Sequence, residues 1–399
     1  MYNFDEIIDR KNTNSKSVEN FRTLFKNHDL KLNFKNEDLI RMWIADMEIA
    51  TPDFVIDAVK KRLDKKIFGY SKVFDPEYFE VLNNWCKRRY DWSFQKNELV
   101  MSDGIVNAIY ELVEYITKPD EKILFFTPSY PPFKGAAEHN SREYVCSALE
   151  NHDNYYTINF EDFEKKCADS KTTLLILCNP HNPTGRAWNK SELEKISEIV
   201  KKYNLWIISD EIHCDLTRLN VKHIPMGKIM TDYEKLITCI APTKTFNIAG
   251  FMISNIIIRS DKLRNIWKIR HHDSDNPLSI AASQAAYKNG DLWLDSLRKY
   301  LDENFKFIEK YLSENIKKAK FKIPEATYLA WLDLREYFTP DENITEFFAA
   351  NAGVLLEDGK MFVENADGFV RLNIACPKSI LAEAMKRISN VINSKMQNA

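Results

Sequence analysis

Six short apolar, β-branched runs punctuate the middle of the chain, at 98–101 (ELVM), 122–126 (KILFF), 173–178 (TLLILC), 205–209 (LWIIS), 236–240 (LITCI) and 253–258 (ISNIII). Runs this short and continuously apolar predict strands buried on both faces, and the longer amphipathic stretches between several of them predict covering helices. After the first run, Ala108, Ile109, Leu112, Val113 and Ile116 recur at helical spacing. The alternation predicts an α/β fold with a largely parallel central sheet.

Such sheets bind ligands outside the carboxyl ends of their strands, so the residues just after each run are the candidates for chemistry. The first run leads into Gly104, Ile105 and Val106. A glycine that opens a helix leaves backbone amides free to cradle a phosphate, the plain alternative being an ordinary strand-to-helix turn. The second run leads into a proline-stiffened turn that presents Tyr130, a ring that either stacks on a flat ligand or fills the underside of the loop. NPHNPTG at 179–185 offers Asn179 and Asn182 on two Asn-Pro steps. Asp210, Glu211 and His213 follow the fourth run, with Asp210 readable as a helix N-cap or as a carboxylate facing the crevice. Lys244 follows the fifth, within APTKTFN at 241–247. An amine that condenses with an aldehyde and a carboxylate that holds a pyridinium proton are the pair a pyridoxal-phosphate (PLP) enzyme requires.

Composition narrows the field. Across 399 residues, 56 basic against 58 acidic side chains give a net charge of −2, which leaves no electrostatic footprint for nucleic acid or a membrane surface. No apolar run approaches the ~18 residues of a spanning helix, and the opening MYNFDEIIDRKN has no apolar signal core. Seven cysteines without a C-x-x-C pair agree with a reducing, cytoplasmic setting. Cys178 and Cys239 read as small core residues, and Cys214 is not needed as a nucleophile beside Lys244. His271, His272 and Asp273 lack spaced partner ligands and read as a solvated turn, so no metal is assigned.

Together these motifs resemble the fold type I PLP enzymes of the aspartate aminotransferase superfamily. NPHNPTG is close to that superfamily's Asn-Pro-x-Asn-Pro-Thr-Gly run, and Asp210 and Lys244 follow in its order. The narrower resemblance is to the MalY/PatB group of cystathionine and cysteine-S-conjugate β-lyases. It is carried by NFDEIIDR (3–10) with NTN (12–14), WIADM (43–47), FGY (68–70), DEIH (210–213), APTKTFNIAG (241–250), TYLAWLD (327–333) and GFVRLNIACP (368–377).

The resemblance implies Lys244 as the Schiff-base lysine, Asp210 as partner of the pyridine nitrogen, Tyr130 as the stacking ring, and Asn182 and His213 near the phenolic oxygen. It implies a phosphate site made of the backbone at Gly104, Ile105 and Val106, the Thr243 hydroxyl, and Tyr70 from a second subunit, hence a homodimer with shared sites. Arg371 would clamp the α-carboxylate of an amino-acid substrate, a task suited to a planar two-pronged guanidinium, with Asn182, Ala45 and Asp46 beside it. A surface salt bridge is the bland alternative for Arg371, and its apolar setting in FVRLN argues against it. Aminotransferases of the superfamily usually carry a phosphate-binding arginine eight residues after the lysine, where this chain has Met252. The β-lyase group lacks that arginine too. Asp103 stands where Pro is common, Ala241 where Ser is common, and Glu48 and Ile49 where Asp-Phe is commoner.

The implied fold is a large domain with a mostly parallel central sheet plus a smaller α/β domain built from both ends of the chain. Residues 1–47 form an arm and part of the small domain, 48–290 the PLP-binding domain, and 291–399 the rest of the small domain. The implied activity is carbon-sulfur β-lysis, the α,β-elimination of cystathionine, cysteine or related S-conjugates to thiol, pyruvate and ammonia. A class I/II aminotransferase is the alternative within the cofactor class. A regulatory protein that binds a transcription factor is the alternative outside it.

Overall fold

The computed structural model describes residues 2–27, 29–73, 75–271 and 274–398. Eight strands form the central sheet: β1 (Leu99–Ser102), β2 (Lys122–Thr127), β3 (Glu143–His152), β4 (Tyr155–Ile158), β5 (Thr172–Cys178), β6 (Trp206–Asp210), β7 (Leu236–Ile240) and β8 (Ser254–Ile258). Their order is β1-β8-β7-β6-β5-β2-β3-β4. The pairs from β7 through β3 are parallel, while β8 runs antiparallel to both its neighbours and β4 closes the far edge as an antiparallel hairpin arm. All six predicted runs are strands of this sheet, displaced by at most a residue or so at their ends.

β3 and β4 went unpredicted because they form an edge hairpin whose polar positions interrupt the apolar signal. In β3 the apolar residues alternate with Glu143, Ser147, Glu150 and Asn151, and much of the strand is exposed or half-buried. Central strands carry the opposite signature: β7 and β8 are buried at every position. Each fully buried Ile or Leu there contributes about 1.5–3 kcal/mol by leaving water.

The predicted helix after β1 spans Ile105–Ile116 and buries Ile105, Ala108, Ile109, Leu112 and Val113, the stripe its spacing describes. A smaller antiparallel sheet, in the order β9-β11-β10, comprises β9 (Leu329–Asp333), β10 (Glu357–Asp358) and β11 (Phe369–Asn373). Ile40–Arg41 pairs in parallel with Val354–Leu355, which ties the N-terminal segment to the C-terminal one. Phe4, Met42 and Met47 share a core cluster with Leu297, Phe305 and Leu372, so both ends of the chain pack together.

His272 and Asp273 lie outside the described residues. His271 differs from the solvated reading: it stacks on Trp267 at 3.8 Å and its Nε2 lies 2.5 Å from Glu111. Among the described residues no helix is long and apolar enough to cross a membrane.

Candidate active site

The carboxyl ends of three parallel strands fix the floor of the site. Asp210 ends β6, in register with Cys178 on β5 and Cys239 on β7. Beyond β7 the chain leaves the sheet in a tight non-helical turn, held by Phe246 N–H to the Pro242 carbonyl and by the Thr245 hydroxyl donating to Asp215 at 2.7 Å. Lys244 therefore projects over the strand ends beside Asp210.

A cavity of about 410 Å³ opens there, and it collects most of the residues singled out from the sequence. Lys244, Thr243, Asp210, His213 and Asn182 line it from the strand-end loops. Tyr130, the helix start at Gly104, Ile105 and Val106, Ala45 and Arg371 complete its lining. Two residues do not join them. Asp46 gives its carboxylate to Arg10 at 2.5 Å and lines an adjoining cavity, and Tyr70 is fully exposed on the surface of the chain.

The electrostatics of this pocket follow from burial. Burial holds the Lys244 amine below its ordinary range, reinforced by Arg371, although Asp46, Glu357 and Asp210 pull the other way. Its Nζ donates to the Ala45 carbonyl at 2.5 Å, which the Tyr328 hydroxyl also reaches, at 3.0 Å. Burial raises the Asp210 carboxyl to about 7, opposed by the Ile212 amide and Lys244. His213 is pushed down to about 3 by burial, with Lys244 and Arg371 adding to the effect, so its ring is neutral. Its Nδ1 is buried without a protein partner. Tyr130 is raised to about 12 by burial and stays a neutral phenol.

Arg371 sits on β11, almost wholly buried, over the Phe362 ring. Its Nη1 donates to Asn182 Oδ1 at 2.9 Å and its Nη2 to the Trp43 carbonyl at 3.3 Å. Glu357 on β10 pairs with the same guanidinium. The surface-bridge alternative for Arg371 is thus corrected to a buried one that faces the cavity.

Several positioning groups escaped the sequence reading. Asn247 bonds the backbone of Met47 and Ile49, Asn373 bonds the carbonyls of Ile44 and Asp46, and together they hold the 43–49 segment over Lys244. Glu211 is buried against His223 at 2.7 Å and fixes the loop behind Asp210. Both asparagines stand inside the motif runs, but their long-range backbone partners leave no periodic signal.

The donor set fits PLP. The helix from Ile105 has no side-chain cap at Gly104, so its first amides open on the cavity where a phosphate would sit. The orphaned His213 Nδ1 and the unprotonated-prone amine of Lys244 supply the polar groups that such a cofactor satisfies. Gly104 adopts φ +142°, a conformation side chains rarely take, while an added Cβ would meet only the Met252 methyl at 3.9 Å. Gly104→Ala is expected to destabilise the protein by about 1–3 kcal/mol through the backbone alone, read as a lower thermal midpoint with weaker cofactor retention. An unchanged midpoint would show that this turn relaxes freely.

The family model for aminotransferase class I and II matches residues 37–388. The chain is 35% identical over 361 residues to cystathionine β-lyase PatB of Bacillus subtilis, covering 89% of this chain and 93% of PatB. It is 30% identical over 366 residues to protein MalY of Escherichia coli, covering 90% and 93%. Among solved structures, a PLP-bound C-S lyase from Staphylococcus hominis complexed with the inhibitor L-cycloserine superposes with a TM-score of 0.95 at 46% identity, over 98% of both chains. Extended over nearly the whole chain, these likenesses show that the chain belongs to the aminotransferase class I and II family.

Proposed function

We propose that the protein is a PLP-dependent carbon-sulfur β-lyase that acts on cysteine S-conjugates such as cystathionine. The observation that carries this reading is a cavity in which a half-buried amine, a carboxylate at a strand end and a buried guanidinium converge. The lyase names of its relatives support it, as does Met252 on the cavity wall beside Gly104, where an aminotransferase would place a phosphate-binding arginine.

When bound, PLP supplies an electron sink for the pair left on Cα. The chain's residues do the rest. Arg371, aimed by Asn182 and the Trp43 carbonyl, holds the α-carboxylate and so fixes which Cα bond faces Lys244. Lys244, kept below the ordinary lysine range by burial, takes the Cα proton. The Cα electrons form the Cα–Cβ double bond, the Cβ–S pair leaves on sulfur, and the Lys244 ammonium returns a proton to the thiolate. Released aminoacrylate hydrolyses with water to pyruvate and ammonia. Asp210 would be kept ionised by a bound pyridinium, whose charge would offset the burial that raises its carboxyl. Tyr130 would cover the ring, and the amides at Gly104, Ile105 and Val106 with the Thr243 hydroxyl would hold the phosphate.

The same reading makes the protein a homodimer. Tyr70 is fully exposed, with Ile67 and Phe68 also exposed beside it, and a second subunit would cover them while receiving Tyr70 at its phosphate. It divides the chain at 47 and 290, a division supported by the pairing of Ile40–Arg41 with Val354–Leu355. A cytoplasmic location is supported by seven unpaired cysteines, six of them buried.

The test gives the PLP-loaded protein L-cystathionine, with a parallel reaction containing 2-oxoglutarate, and measures its mass in solution. Equal pyruvate and thiol without glutamate, from a particle of twice the chain mass, is the expected result. Glutamate without thiol would make it an aminotransferase, and a fully active monomer would remove Tyr70 from the site.

A further inference from the structure

Glu357 is an acidic cavity residue that the reaction above leaves without a task. It faces Arg371 directly across the β10–β11 ladder, and its carboxylate contacts the guanidinium Nη2. Neither side chain is open to bulk water, at 14% and 4% exposed. Burial raises the Glu357 carboxyl, while Arg371 and Lys244 pull it back. The guanidinium that receives a substrate carboxylate therefore already carries one anion.

The charges lining the cavity can be counted from there. Lys244 is committed to the chemistry, Asp210 is an anion, and Lys16 is exposed. Among the described lining residues no buried cation is left to receive a second substrate carboxylate. A ligand with one carboxylate shares Arg371 with Glu357. A ligand with two places its second negative charge near Glu357 in a setting where water screens little, and like charges repel.

We propose that Glu357 is a specificity residue that sets the charge of the substrate side chain. It admits amino acids whose β-substituent is neutral or offers an ammonium, as the distal end of cystathionine does. It excludes those that end in a lone carboxylate, including the acidic amino acids and 2-oxo diacids that amino-group transfer commonly uses. The inference takes its reaction from the lyase reading, but its charge rule can be tested without elimination.

Two pairs of compounds test it on the PLP-loaded wild type, Glu357→Gln and Glu357→Asp. The first pair, S-ethyl-L-cysteine and S-carboxymethyl-L-cysteine, is compared by kcat/KM for pyruvate release. The second, butyrate and succinate, is unreactive and is compared by binding, read as the change each causes in the visible absorbance of the bound cofactor. Wild type is expected to favour the neutral or singly charged member of each pair by at least ~10-fold. Glu357→Gln should shrink both preferences by ~10-fold or more, mainly through KM and Kd, and Glu357→Asp should restore them. Each preference is a ratio within one protein, so partial loss of folded material does not alter it. Unchanged ratios in Glu357→Gln, or an equal loss for both members of a pair, would overturn the inference and leave the lyase reading standing. Failure of wild type to release pyruvate from either thioether, with the butyrate to succinate ratio shifting as stated, would sink the lyase reading and support the charge rule.

Discussion

Lys244→Ala is expected to lower pyruvate release by at least ~10⁴-fold and to abolish the visible absorbance of the lysine-linked cofactor. The size of the effect follows from geometry. Lys244 is the amine beside Asp210 and Arg371 in the cavity, and its contact with the Ala45 carbonyl shows that it reaches the roof formed by the N-terminal segment. One group would carry both the covalent link and the proton transfer, so truncation removes two contributions at once. Lys244→Arg should be nearly as inactive, because a guanidinium stays protonated and cannot take a proton. Substantial turnover with the absorbance intact in Lys244→Ala would place the chemistry on another residue.

Asp210 carries the second large effect, visible in both activity and stability. Asp210→Ala should slow elimination by ~10²–10³-fold and weaken cofactor retention, since on the proposed reading the pyridinium would lose the charge that keeps it protonated. Cofactor-free protein gives an independent reading. Burial pushes the folded carboxyl up to about 7 from an ordinary 3.8. Between those values the folded state holds a proton that the unfolded chain has lost, so stability is highest at low pH and falls as pH rises through about 7. The loss attributable to this carboxyl is on the order of 4 kcal/mol. Asp210→Asn should flatten that slope, and so should loading with PLP. A slope equal in wild type and Asp210→Asn would assign it to other groups.

The site was legible in the sequence to the extent that its residues sit at strand ends. Asp210, Asn182 and Lys244 follow apolar runs, and a parallel sheet brings all such ends to one edge whatever the loops do. Gly104 was readable because a glycine opened an amphipathic helix. What stayed hidden depends on pairings between distant segments. Glu357 belongs to a two-residue strand with no periodicity of its own, and its meaning comes from the register that sets it opposite Arg371. Asp46 shows the reverse case, since the resemblance set it beside the substrate whereas the structure gives its carboxylate to Arg10.

The Trp43 carbonyl and the Arg371 guanidinium that it orients lie 328 positions apart. Synthesis runs from the N-terminus, so every strand of the large sheet emerges before the arginine exists. A nascent chain can thus complete its scaffold, with Lys244 and Asp210 in place, and still be unable to grip an amino acid. On the proposed roles, the amine would be paired with its clamp only once Arg371 has emerged, which would make competence for catalysis a late event in the life of each chain.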